Sequence, residues 1–418
     1  MEKILVVTVG GSPQPIENSI SHNLPSYIVF LCSDDDPYAS TKGSYTMVEK
    51  HDGFVSKFNL SKKQYEIQKL TDVDDLESIH NSCSEIIEKI TKENPQSTIL
   101  VDYSGGTKSM SAGLVIAALH FPNVQFTLVK GQRADLEKIK NLTEFSTSIR
   151  VGSIRFKDQI FLIGNFIKNY EYDSALKIIN TITTSNYSLS NEEHRLLSLY
   201  NSACKAFYFW DKFNHQSAFD LLKGIRKHFV KEVVFLEAII KSLLAFELRE
   251  KNEKISNYEI VFDLIENAER KATKKLFDDA LARIYRALEL FIQIYLVHEH
   301  NLHTSSIPME VIPDVMKERV FIEGNMAKLG LFDSFELCGH LKDTMIYASY
   351  NENKKRLLSA LTKRNTSILA HGIRPITEKD YSDCKFVIEF IKEMISKTEK
   401  NETRACEFPG TFIFKEKK

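Results

Sequence analysis

A short apolar run, two adjacent glycines and a helical pattern follow one another between positions 98 and 119. Thr98-Ile99-Leu100-Val101 reads as a buried strand, and the stretch from Met110 through Gly113 and Ile116 to Leu119 reads as a helix. Between them lie Asp102-Tyr103-Ser104-Gly105-Gly106-Thr107-Lys108. A chain that leaves a buried strand through two glycines and enters a helix is building one β–α step of a parallel sheet. The start of such a helix leaves backbone N–H groups unpaired. Together with the helix dipole and Lys108, they suit an anionic, phosphate-bearing ligand. Two other phosphate loops fail here. The Walker loop needs Gly directly before its Lys, where Thr107 stands, and the dinucleotide loop needs a third Gly that Gly105-Gly106 lack. A plain tight turn with a solvated Lys108 is the alternative reading these residues allow.

The same alternation runs from the start of the chain to about position 150. Apolar strands are expected from Ile4 to Val9, Tyr27 to Cys32, Ile99 to Asp102 and Val124 to Val129. Helical spacing extends from Asp74 to Lys92, with Leu76, Ile79, Ile86, Ile87 and Ile90 on one side. The first strand ends at Gly10-Gly11-Ser12 and the second at the acidic turn Ser33-Asp34-Asp35-Asp36-Pro37. Continuous apolar strands alternating with helices predict a parallel sheet covered on both faces, whose ligands bind at the strand carboxyl ends. Both glycine loops lie at such ends and form one pocket if their strands are neighbours.

Beyond about Phe156 helices take over. Three segments, at Tyr172–Leu176, Phe213–Phe219 and Phe277–Ala280, each join an aromatic residue to a small alanine. Their unequal spacing predicts a loosely repeat-like helical region rather than a strict array. Trp210 is read as core. The longest helix is expected from Asp278 to His298, with further helices at 334–349, 354–370 and 377–397 and a stop at Gly372 and Pro375. Thr411–Phe414 either adds an edge strand or stays loose.

Composition limits what partners such a chain takes. The 418 residues carry a formal net charge of -1, so nucleic acid would be bound at a local site and not by a bulk basic field. The six cysteines include no C-x-x-C pair, which predicts neither a zinc site nor a disulfide scaffold and points to a reducing compartment. No apolar run reaches the ~18 residues of a membrane span, and the opening residues read as a strand and not a signal peptide. A cytoplasmic protein with no membrane and no metal is expected.

Arg364-Asn365-Thr366-Ser367-Ile368-Leu369-Ala370-His371-Gly372 is the catalytic candidate. On a helix seven residues make nearly two revolutions, so Arg364 and His371 are expected on one face with Asn365 beside them. Arginine pairs with phosphate and stabilises the added charge of a pentacovalent transition state. Histidine exchanges protons near neutrality. The pair can therefore cleave RNA without metal, using the ribose 2′-OH as internal nucleophile and leaving 2′,3′-cyclic phosphate and 5′-OH ends. A solvated Arg364 and a helix-capping His371 are the other reading.

The two motifs in this order resemble the CARF–HEPN ribonucleases that accompany type III CRISPR systems. The Asp102–Lys108 turn looks like the signature loop of the CARF domain, a Rossmann-like sensor of cyclic oligoadenylates, and Arg364-Asn365 through His371 resembles the HEPN motif. The resemblance implies an α/β then all-α chain. A Rossmann-like CARF domain at 1–150 is followed by a helical connector at 151–255, a HEPN domain at 256–400 and a tail at 401–418. It also implies a homodimer in which Arg364, Asn365 and His371 of two copies form one composite site that cleaves single-stranded RNA in antiviral defence. Gly10, Gly11, Ser12, Ser104, Gly105, Gly106, Thr107 and Lys108 would contact the cyclic oligoadenylate, with cyclic tetraadenylate placed ahead of cyclic hexaadenylate as activator. Arg286 and Glu289 would neighbour the nuclease site or simply pair on their helix. Pro13-Gln14-Pro15 departs from the usual first loop. Two other outcomes stay open: a sensor without catalysis, and a CARF domain that degrades its own ligand.

Overall fold

The computed structural model describes residues 2–35, 41–130, 145–149, 151–184, 189–247, 258–399 and 405–414. The expected boundaries at 150 and 255–256, the end of the HEPN segment at 400, and the turn residues Asp36 and Pro37 lie outside the described residues. Contacts divide the chain into two compact units, residues 1–161 with 180–195 and residues 162–179 with 196–418.

The first unit alternates as the apolar runs predict. Its elements are β1 (Lys3–Val9), α1 (Gln14–Asn23), β2 (Tyr27–Ser33), α2 (Thr46–Glu49), α3 (Phe54–Lys57), β3 (Tyr65–Leu70), α4 (Leu76–Glu93), β4 (Thr98–Asp102), α5 (Lys108–Leu119), β5 (Val124–Lys130) and β6 (Phe145–Ile149). The strands form one sheet in the order β3-β2-β1-β4-β5-β6. β1 runs parallel to both β2 and β4, so the connections diverge between β1 and β4, where ligands of open α/β sheets bind. Val7 lies opposite Asp102, which brings the carboxyl ends of the two strands level.

Alternate residues of β1 feed two cores. Ile4 and Val6 join Ile79, Cys83, Ile87 and Leu114 on one face, and Leu5 and Val7 join Ile16, Ile20, Phe30 and Phe54 on the other. Leu76, expected on the inner side of α4, is instead 43% exposed at the helix start. The sheet also departs from an all-parallel one, since β6 pairs antiparallel with β5. β3 escapes the apolar-run criterion because Tyr65-Glu66-Ile67-Gln68 alternates in polarity, as a half-buried edge strand does.

The second unit is largely helical. The chain continues through α6 (Gly152–Lys168), α7 (Tyr172–Thr184) and α8 (Asn191–Trp210), within each of which a division falls, then α9 (His215–Gly224), α10 (Val230–Glu247), α11 (Glu259–Thr273) and α12 (Phe277–His300). The short segments β7 (Ile307–Pro308), α13 (Asp314–Lys317), β8 (Phe321–Glu323) and β9 (Met326–Lys328) follow, and then α14 (Leu331–His340), α15 (Thr344–Asn365), α16 (Glu378–Cys384) and α17 (Phe386–Thr398). β7, β9 and β8 make a small antiparallel sheet that no periodicity announces, because its strands have two or three residues each.

α12 is the axis of this unit and packs against α11, α14, α15, α16 and α17. Trp210 is fully buried, as expected, and its indole N–H donates to the buried Asp263 at 2.8 Å. The terminal Phe408 and Phe412 adopt no strand and yet are not loose. They pack into the aromatic core formed by Tyr172, Phe207 and Trp210.

Candidate functional site

The front loops are assembled from backbone. After β4 the chain turns through Gly105 and Gly106, and Gly106 has φ +82°, a conformation that disfavours any side chain. A Cβ on Gly105 would sit 2.3 Å from the Thr8 carbonyl, and one on Gly10 would sit 2.6 Å from the Gly106 nitrogen. The two loops expected to share a pocket therefore touch. Asp102, fully buried, holds the turn from below. It accepts hydrogen bonds from Ser19 Oγ at 2.7 Å, Thr127 Oγ1 at 2.9 Å and the Ser104 N–H at 2.9 Å. Burial, followed by the Asp102 charge, pushes the neighbouring Tyr103 phenol above its ordinary pKa.

The ligand-binding candidates divide by what their side chains do. Ser104 Oγ accepts the Val129 N–H at 2.8 Å, and Thr107 Oγ1 both donates to the Val73 carbonyl at 2.7 Å and caps α5 through the Met110 N–H at 3.1 Å. Those two hydroxyls serve the fold. The N–H groups of Gly105, Gly106 and Thr107 donate no hydrogen bond among the described residues. Gly11, Ser12 and Lys108 are exposed, and Lys108 makes no ion pair among the described residues. Pro13 and Pro15 open α1, where a missing N–H costs nothing. The result is a concentration of open donors and one cation at the start of a twelve-residue helix, suited to phosphate.

The Arg–His candidate is built differently from its expected form. α15 ends at Asn365, so Arg364 and His371 do not share a helix face. The chain instead curls back over the helix end. Ile368 N–H donates to the Arg374 carbonyl at 2.9 Å, Gly372 N–H to Ser367 at 3.0 Å and His371 N–H to the Asn365 carbonyl at 3.2 Å. The loop thus returns the backbone of His371 to Asn365. Gly372 is not a helix stop but a point of close approach, because a Cβ there would fall 1.9 Å from the Thr366 carbonyl. The far end of the loop is tied to α12, where Asp278 accepts the Ile376 N–H at 2.9 Å.

Arg364 lies in the last turn of α15 with its guanidinium 4.9 Å from the centre of the Tyr285 ring. Its Nη1 donates to Asn365 Oδ1 at 3.0 Å, and no carboxylate pairs with it among the described residues. Burial, followed by the Glu289 charge, pushes the Tyr285 phenol upward, while Arg364 opposes that shift. Arg286 pairs with Glu289 at 2.9 Å and with Gln293 at 3.1 Å along α12, the helix-face pairing that was one of its two expected roles. Around the exposed His371, Ile368, Leu369 and Ile373 are 56%, 63% and 87% exposed. Sequence reasoning missed Tyr285. Its spacing from Leu281 and Leu288 on α12 was the available signal, marking an amphipathic ring on the inward face.

Residues 249–395 match the family described as the Csm6 HEPN domain. A solved structure of Enterococcus italicus Csm6, bound to cyclic hexa-2′-fluoro-hexa-dAMP, aligns over 95% of this chain and 94% of that one, with a TM-score of 0.60 at 11% identity. That likeness is one of fold, an α/β sheet unit followed by a largely helical one. Can2 from Sulfobacillus thermosulfidooxidans, in complex with cyclic tetra-adenylate, aligns over 54% of this chain and 68% of that one, with a TM-score of 0.25 at 13% identity. No curated protein sequence matches. The residues matched by the HEPN family model take in α11 to α16 and most of α17, the helices around α12. Among the described residues no helix is long and apolar enough to cross a membrane.

Proposed function

We propose that this chain is an endoribonuclease switched on by a cyclic oligoadenylate, acting on single-stranded RNA without metal in type III CRISPR defence. The observation that carries the reading is the loop that folds His371 back onto the end of α15, beside an arginine that no carboxylate pairs with among the described residues, within the stretch that matches the Csm6 HEPN family. In this reading His371 takes the 2′-OH proton and returns a proton to the leaving 5′-oxygen. Arg364 stabilises the charge gathering on the phosphorane, and Asn365 fixes the guanidinium edge. The products are a 2′,3′-cyclic phosphate and a 5′-OH. The exposed Ile368, Leu369 and Ile373 suit a second copy of the chain, which would bring two Arg–His sets together as a homodimer in the cytoplasm.

The front loops at 10–12 and 104–108 would hold the activator, with the domains at 1–150, 151–255 and 256–400 serving as sensor, connector and nuclease. The ring bound to the Csm6 of like fold has six nucleotides. Cyclic hexaadenylate therefore stands beside cyclic tetraadenylate as activator, and the assay includes both. Activation requires only that the ring bind the active arrangement more tightly than the resting one.

The test is cleavage of a labelled single-stranded RNA in chelator, with each ring and without. Activator-dependent cutting to 2′,3′-cyclic ends is expected, reduced at least about hundredfold in His371→Ala and Arg364→Ala. RNA left intact under every condition removes catalysis and leaves a sensor. Loss of the cyclic ligand in His371→Ala would reveal degradation by the CARF domain itself.

A further inference from the structure

A half-buried arginine gains most from a carboxylate partner, and Arg364 has none among the described residues. Of its five N–H donors, one is used by Asn365 and the others meet no acceptor among the described residues. Arg364 lines a narrow apolar slot with Leu281, Ile284, Leu288, Leu357 and Leu361. Its guanidinium carbon lies over the Tyr285 ring, 4.9 Å from the ring centre, and the Tyr285 hydroxyl makes no hydrogen bond among the described residues. The nearby carboxylate, Glu289, is occupied by Arg286.

We propose that Tyr285 is a positioning residue for Arg364, acting through its ring face and not its hydroxyl. The inference rests on the ribonuclease reading above. A carboxylate in the same place would orient the guanidinium but neutralise it and compete with phosphate. An aromatic face orients the cation and leaves both its charge and its donors available. Asn365 holds one edge of the guanidinium and the Tyr285 ring holds the cation over its face. Arg364 also lines the apolar slot, so the charged head has little freedom left to lose when phosphate arrives. Burial keeps the phenol neutral well into the alkaline range, so no phenolate forms to capture the arginine.

Tyr285→Phe, Tyr285→Trp, Tyr285→Leu and Tyr285→Met are assayed for activator-saturated RNA cleavage, beside Arg364→Ala, with thermal melting to establish that each is folded. Leu and Met are expected to lower kcat about tenfold with KM little changed, while Phe and Trp hold kcat within about twofold. Met fills the slot if Leu fails to fold. Full kcat in a folded Leu or Met variant, with Arg364→Ala inactive, overturns the positioning role and leaves the ribonuclease reading standing. Phe as impaired as Leu overturns it too, by assigning the effect to the hydroxyl. Undiminished cleavage by Arg364→Ala removes the ribonuclease reading and this inference with it.

Discussion

The two candidate sites of this chain are made by opposite means. The front site is backbone, built from N–H groups left open by a strand-to-helix turn and brought together because β1 and β4 are neighbours at the point where the sheet connections diverge. The rear site is side chains, an arginine at a helix end, an aromatic ring on another helix and a histidine on a folded-back loop. A backbone site tolerates exchange of its side chains but not of its glycines. A side-chain site fails with any of its few members, and with whatever shapes the loop that holds them.

The sharpest way to break that contrast is at Gly372, a glycine in the side-chain site. Gly372→Ala puts a methyl group into the Thr366 carbonyl, and only movement of the loop can relieve the contact. We expect RNA cleavage to fall about hundredfold, as a displacement near 1 Å does at a reacting centre. Calorimetric affinity for a cyclic oligoadenylate should be unchanged. Equal cleavage by the variant would show that the loop does not place His371. The matching change in front is Asp102→Ala, which orphans two buried hydroxyls and one N–H. It should destabilise the first unit by about 2 kcal/mol and weaken ligand binding, read as an earlier first transition in denaturant. A melting profile identical to the unsubstituted chain would remove Asp102 as the support of the turn.

This contrast also explains what the sequence discloses. The front site is legible because each part is local. An apolar run, two glycines and a helix pattern within 98–119 already specify the turn, and parallel alternation specifies where it sits. What stays hidden is where side chains turn inward, since nothing local tells that the Ser104 and Thr107 hydroxyls serve Val129, Val73 and Met110. The rear site is legible only as residue types. Reading 354–370 as one helix places Arg364 and His371 on a common face, whereas α15 ends at Asn365 and it is the His371 backbone that returns to Asn365 through a loop. No α-helix breaker precedes Thr366. The helix ends there because the following carbonyl and N–H groups find better partners across the loop, which is a tertiary fact. Tyr285, about eighty residues upstream, is beyond any local pattern.

Lys108 tests whether the front site needs any side chain. It is exposed and unpaired among the described residues, so nothing in the fold depends on it. Lys108→Ala should leave the melting temperature alone and weaken cyclic oligoadenylate binding about tenfold, with a shallower salt dependence. A loss much greater than that would move the front site toward the side-chain kind.

The smallest effect lies at the edge of the front unit, where side chains do hold a loop. Asp35 accepts the Gly43 N–H at 2.9 Å and pairs with Lys42 at 3.0 Å. The Gly43 hydrogen bond, followed by that to Lys42, lowers its carboxyl to about 2. Because the folded pKa lies below the unfolded one, the tether contributes fully above about pH 4 and is lost as pH falls toward 2. The group is exposed and screened, so the loss should be local. Amide exchange at Gly43 and Ser44 should quicken, beyond its intrinsic pH dependence, between pH 5 and about 2.5, and Asp35→Asn should already exchange fast at pH 5. Exchange at Ser111, whose N–H donates to the Thr107 carbonyl at 3.0 Å and not to an exposed carboxylate, should show no such added step. A parallel step at both places would mean that acid loosens the whole sheet edge, and the separation between backbone-built and side-chain-built segments would not hold within this unit.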